Sequence, residues 1–205
     1  MKKIWLKVLC GIILVIWAVR YITLNDGHIL SYPQYPITYY KLNEEAPYGK
    51  NITYYGDENN NLDGYSMQIT DSELVTHEEF ASRYGKFDDQ KGMINRPFYL
   101  IVDTVFANYG DSIGVIDIQT LILHGIDWWN YCSYGQTLLV NSEIENRSLY
   151  DTGTIKLSMG ERMEFKLVFG IEPYFLTTDR WHDFHNETIW ITQTIMPEEH
   201  RLLIQ

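Results

Sequence analysis

The chain has 205 residues, with 16 Lys and Arg against 27 Asp and Glu, for a formal net charge of −11. That balance argues against nucleic acid, or an anionic lipid headgroup, being held on a basic surface. Only Cys132 lies outside the amino-terminal apolar segment that holds Cys10, so a disulfide within the rest of the chain is excluded and a hydrophobic core must supply the stability.

The first 24 residues carry Lys2, Lys3, Lys7 and Arg20 and no acid. The stretch from Ile4 to Leu24 is about 21 residues, roughly 30 Å as a helix, which matches the hydrocarbon thickness of a bilayer. Lys7 and Arg20 can snorkel to the two interfaces. No small-x-small cleavage site follows Val19, and Leu9 before Cys10 does not suit a lipobox. Residues 1–24 are therefore expected to form an uncleaved signal anchor. The basic leader places them with the amino terminus inside and the bulk of the chain outside the cytoplasm. Removing the four anchor bases leaves 12 − 27 = −15 on the exterior part.

Residues 25–64 read as a linker merging into the first short strands, Ile37 to Lys41 and Asn51 to Tyr55. Its Ser31-Tyr32-Pro33-Gln34-Tyr35-Pro36 segment favours extended backbone. A β-sandwich domain is expected over 65–205. Tyr65, Met67 and Ile69 alternate with polar residues at the period of a strand. Thr76-His77-Glu78-Glu79 is a capping-box sequence that opens one short helix ending at Gly85. Further strands are expected at Phe98 to Ala107, Ile113 to His124, Thr137 to Val140, Thr154 to Leu157, Glu161 to Phe169, Thr188 to Ile195 and Arg201 to Ile204. Many short strands, turn signals between them and one helix point to a mainly β fold of immunoglobulin-like sandwich type.

Each motif that could carry chemistry has a plainer competing reading. Asn59-Asn60-Asn61-Leu62-Asp63-Gly64 resembles the start of a calcium loop, but Thr70 stands where the bidentate Glu is needed. Gly110-Asp111-Ser112-Ile113-Gly114 is G-x-S-x-G, which would make Ser112 a nucleophile if a strand-to-helix turn exposed it; strand-like flanks favour a simple turn. His182, Asp183 and His185 sit in a polar segment where two His at i and i+3 can share a metal if helical. The H-E-x-x-H spacing of metalloproteases is absent. No pattern calls for a cofactor. Trp128-Trp129-Asn130-Tyr131 is different in kind. Adjacent residues on a strand face opposite ways, so one Trp is expected in the core and the other at the surface. Trp128, Trp129 and Tyr131 are the candidate contacts for a ligand or partner.

The basic leader and apolar anchor, Tyr40-Lys41-Leu42-Asn43-Glu44, Gly64-Tyr65-Ser66-Met67-Gln68-Ile69, Phe98 to Asn108 and Met159-Gly160-Glu161-Arg162-Met163-Glu164-Phe165 carry a resemblance. The chain looks like a group of uncharacterised, membrane-anchored proteins of Gram-positive bacteria with a telokin-like, immunoglobulin-like exterior domain of unknown function. The resemblance implies a β-sandwich at the cell envelope and transfers no catalytic residue. The function expected is a non-enzymatic binding or interaction module for an envelope protein, peptide or glycan. A metal-dependent hydrolase or metal-binding protein using His182 and His185 is the alternative.

Overall fold

The computed structural model describes residues 11–17, 19–20, 35–49, 61–85, 96–126, 128–145, 147–172, 184–195 and 198–204. Two compact units divide the chain, Met1–Gln34 and Tyr35–Gln205. In the first, residues 11–17 and 19–20 are helical. Its apolar side chains from Ile12 to Trp17, and Val19, are all more than half exposed. Among the described residues no helix is long and apolar enough to cross a membrane. Most of the expected span from Ile4 to Leu24, both ends included, lies outside the described residues.

The second unit is mainly β with a few helices, and it takes in the short strands before residue 65. A four-stranded sheet has the order β2 (Glu45–Gly49), β3 (Leu62–Thr76), β4 (Phe98–Asn108), β9 (Arg162–Ile171), all antiparallel. A five-stranded sheet has the order β1 (Ile37–Tyr40), β11 (Glu199–Leu203), β10 (Trp190–Thr194), β6 (Ile122–His124), β7 (Trp129–Tyr131). Within it only the β1–β11 pair is parallel. A third pair joins β5 (Ile116–Asp117) to β8 (Thr154–Ile155).

One core lies between the two large sheets. Tyr65, Met67, Val102, Phe106, Phe165, Leu167 and Phe169 enter it from one side and Leu123, Ile191 and Leu202 from the other. Period-two alternation fixes these inward sets. In β3 the alternation changes phase at Thr70, where the register against β4 shifts. Tyr65, Met67 and Ile69 point inward before the bulge. After it Leu74 points inward and Val75 outward. One extra residue reverses the parity of a strand, and this lets a 15-residue strand stay in contact with the core along its length.

The outer face of the four-stranded sheet is covered. Helix α1 (His77–Tyr84) begins with the capping box: Glu79 N donates to Thr76 Oγ1 at 3.2 Å and Thr76 N to Glu79 Oε2 at 2.8 Å. Its Phe80 ring lies 4.5 Å from that of Tyr99, in a second small core with Val75, Ile101 and Val168. Helix α2 (Tyr134–Val140) adds Leu139 and Val140. Helix α3 (Arg147–Thr152) leads into β8.

Two strand expectations are corrected. Thr137 to Val140 belongs to α2, because Ser133, Thr137 and Asn141, one helical turn apart, bond the open edge of β9. Gly170 N donates to Ser133 Oγ, Val168 N to Thr137 Oγ1 and Lys166 N to Asn141 Oδ1, each at 3.0 Å. These side chains satisfy the backbone groups that another strand would otherwise take. The run from Ile113 to His124 is broken into β5, a 3-10 turn at Ile118–Thr120 and β6. Asp117 caps the turn by accepting from Gln119 N at 2.9 Å, and Thr120 Oγ1 donates back to Asp117 O at 2.6 Å.

Candidate functional site

The hairpin joining β6 to β7 holds the adjacent tryptophans, and three contacts set their directions. Gly125 N donates to Trp128 O at 3.0 Å across the turn. Trp128 Nε1 and Ile126 N both donate to Glu187 Oε1, at 3.1 and 2.9 Å. The Trp128 ring lies 6.1 Å from Phe184 and packs on the core. A side chain at residue 125 would meet Trp128 Nε1 at 2.1 Å, so this approach requires glycine. With Trp128 held inward, Trp129 faces the other way. It is 59% exposed, Tyr131 is 45% exposed, and the two rings meet at 77° with centroids 5.1 Å apart.

These rings begin a face that crosses the whole five-stranded sheet. Trp129 stands opposite His124, and His124 opposite Trp190. The His124 and Trp190 rings stack at 5.6 Å, only 6° from parallel. The Arg201 guanidinium lies 4.9 Å from the centroid of Trp190 and 5.7 Å from that of Tyr39. Its Nε donates to Glu199 Oε1 at 2.6 Å, and its Nη1 donates to Tyr39 Oη at 3.3 Å. Burial pushes the His124 imidazole down from its ordinary value, against the pull of Glu199, which favours the neutral ring. Thr192, 2% exposed in the middle of this face, has no hydrogen-bond partner for Oγ1 among the described residues, and neither has Trp190 Nε1.

The remaining candidates fall elsewhere. Ser112 follows β4 in a turn that leads to β5, not to a helix, and its hydroxyl donates to Asp63 O at 2.6 Å. The turn seats Gly110 against Gly64, where a side chain at 64 would meet Gly110 N at 2.4 Å. Gly64 therefore serves this close approach between β3 and the turn. Residues 51–60, which hold the Asn51 to Tyr55 run and the first two residues of the calcium-like loop, lie outside the described residues. So do His182, Asp183 and the side chain of His185. Among the described residues no group of three His, Cys, Asp or Glu is placed to share a metal ion. Cys132 is buried with Sγ 3.2 Å from Thr137 Oγ1, and burial pushes its thiol up to about 11. A thiol so placed is not a nucleophile at neutral pH.

A groove of about 530 Å³ lies beside α2, lined by Thr70, Asp103, Asn141, Glu143, Glu164 and Lys166 among others. Its one cation pairs with Asp103. Burial works against the Lys166 charge, but the Asp103 carboxylate outweighs it and holds the ammonium above its ordinary value.

His124, Trp190, Arg201 and Tyr39 were not singled out from the sequence. They stand at alternate positions of four separate strands, and only the order of the sheet brings them together. A mainly β protein is thus defined, with two large sheets on one core and one outer sheet face that carries aromatic rings and an arginine. The chain belongs to the family described as Domain of unknown function (DUF5028), which matches residues 37–200. No curated protein matches the chain, and no solved structure does.

Proposed function

We propose that this protein is an extracytoplasmic, membrane-anchored binding module without catalytic activity, and that the outer face of the five-stranded sheet is its contact surface. The observation that carries the reading is the exposure of Trp129 and Tyr131 beside the outer row of His124, Trp190, Arg201 and Tyr39. Large rigid rings give contact area at low entropic cost, which is why Trp, Tyr and Arg dominate binding hot spots.

The immunoglobulin-like assignment draws support from the run β11-β10-β6-β7, which has the order of the G-F-C-C′ sheet of a variable-type domain. In the other sheet β4, the long strand before β6, pairs directly with β9 as strand B pairs with E, and β2 stands outside that pattern. Anchoring rests on the basic, acid-free leader and on the exposed apolar side chains from Ile12 to Trp17. An envelope location in a Gram-positive cell is what the resemblance implies.

Two experiments test this. A reporter fused after Gln205 is expected to be active outside the cell, with the intact chain in the membrane fraction; a shortened soluble product contradicts the anchor. A photo-crosslinking amino acid at position 129, in intact cells, is expected to give an adduct that the same group at Ile113 does not. Ile113 is 82% exposed in the turn after β4 and serves as the control. Equal yield at both positions, or none at 129, contradicts the binding reading.

A further inference from the structure

The site described above has an edge as well as a face. Among the described residues β7 ends the five-stranded sheet. Its pairing with β6 is antiparallel, with Asn130 opposite Leu123. Gly125 N bonds Trp128 O just before the ladder, and Cys132 N bonds Leu121 O just after it. In an antiparallel ladder bonded and non-bonded pairs alternate. The Asn130–Leu123 pair is therefore the bonded one, and the flanking Trp129 and Tyr131 are not bonded to β6. The N–H and C=O of Trp129 and the C=O of Tyr131 point to the open side. Tyr131 N is occupied by Asn130 Oδ1 at 2.9 Å. The contrast with β9 is direct, since α2 and its two caps cover that edge with the polar side chains of Ser133, Thr137 and Asn141.

Resting on the binding reading above, we infer that the occupant is an extended cationic peptide segment. It adds a strand at β7 and sets a Lys or Arg side chain against the Trp129–Tyr131 pair. Four observations favour this occupant. The outward backbone groups of Trp129 fit main-chain hydrogen bonding from an added strand, the usual way a sheet edge takes a peptide. The two exposed rings meet edge to face at 77°, which leaves a ring face open to a cation. The same sheet face already makes this contact internally, where Arg201 lies over both Trp190 and Tyr39. Finally, 27 acids against 12 bases over residues 25–205 draw a polycation and repel a polyanion. The same charge opposes edge-to-edge pairing of two copies, which would bring −15 against −15. A neutral glycan would use the rings but neither the charge nor the backbone edge.

The test uses the full chain in a neutral detergent and titration calorimetry at low salt. The probe is an acetylated, amidated octapeptide of alternating Lys and Thr. Its counterparts are the same peptide with Glu for Lys, the Lys peptide with alternate amides N-methylated, and chitohexaose. The Lys peptide is expected to bind with a dissociation constant below about 1 mM, and the Glu peptide not at all. Both the Trp129→Ala/Tyr131→Ala double variant and N-methylation of the peptide are expected to weaken binding at least about tenfold, or 1.4 kcal/mol. Equal binding by the double variant would reduce the effect to unspecific charge attraction and overturn the proposal. Equal binding of the N-methylated peptide would remove the added strand and overturn it as well, as would no binding near 1 mM. Chitohexaose binding that the double variant loses would put a glycan in the peptide's place. Crosslinking at position 129 separates the two levels. An adduct there without Lys-peptide binding sinks the occupant alone, whereas no adduct and no binding sink the binding reading too.

Discussion

The two large sheets turn very different outer faces away from their common core. On the four-stranded sheet Tyr99, Ile101, Val75 and Val168 point outward and are buried by Phe80 of α1 and by Leu139 and Val140 of α2. On the five-stranded sheet the outward set includes Trp129, Tyr131 and Tyr39, which are exposed, with His124, Trp190 and Arg201, and also Thr192, which is buried. The edges differ in the same sense, for β9 is closed by side chains of α2 and its two caps, whereas among the described residues no strand pairs beyond β7. Apolar area covered by the chain's own elements contributes to folding; aromatic area left at a surface is available to a partner. On the reading proposed above, the difference separates the side that holds the molecule together from the side offered to a partner.

The largest expected effect is on the covered side. Phe80→Ala should cost about 3–5 kcal/mol, because the ring fills the space between α1 and Tyr99. Urea denaturation followed by circular dichroism measures it, and a loss below about 1 kcal/mol would mean that α1 does not close that face. Next in size is the guarded edge. Thr137→Val keeps the shape but leaves Val168 N without its acceptor, and should cost about 1–3 kcal/mol.

Two titrations sharpen the same contrast. In the core that the two sheets share, burial holds the Cys132 thiol up at about 11 from an ordinary 9.0. A folded-state value raised above the unfolded one gives stability that is complete below the unfolded value and lost as pH rises through the folded one. In a Cys10→Ser background Cys132 should therefore resist a thiol reagent at pH 8 until the chain unfolds, and stability should fall between pH 9 and 11. On the open side the His124 imidazole is depressed below its ordinary 6.5 by burial. Its contribution is complete above that value and lost as pH falls below it. Mild acid should loosen the His124–Trp190 stack, read as a small change in Trp fluorescence that His124→Gln abolishes.

Much of the mainly β fold was legible, and for a clear physical reason. Alternation in Tyr65-Met67-Ile69 and Phe165-Leu167-Phe169, and the capping box at Thr76, are local signals that need no partner strand. The breaks came where a distant group decides. Thr137 to Val140 has β-branched ends and a strand-like look, yet it is helical because the edge of β9 needs the hydroxyl of Thr137 and the amide of Asn141. The split of the Ile113 to His124 run depends on Asp117 turning back on Gln119. At the site, the opposed directions of Trp128 and Trp129 follow from strand parity. The rest of the aromatic face depends on strand order, since residues 39, 124, 190 and 201 share no local pattern.

The most direct test of the division between a holding side and a contacting side is the equilibrium stability of the Trp129→Ala/Tyr131→Ala double variant, measured beside Phe80→Ala in the full chain. If the outer face of the five-stranded sheet is a contact surface, the double variant should lose less than about 1 kcal/mol, and acrylamide quenching of Trp fluorescence should fall in step with the lost exposed ring. A loss of about 3–5 kcal/mol, equal to that of Phe80→Ala, with no change in quenching, would show that these rings hold the fold and would contradict the division.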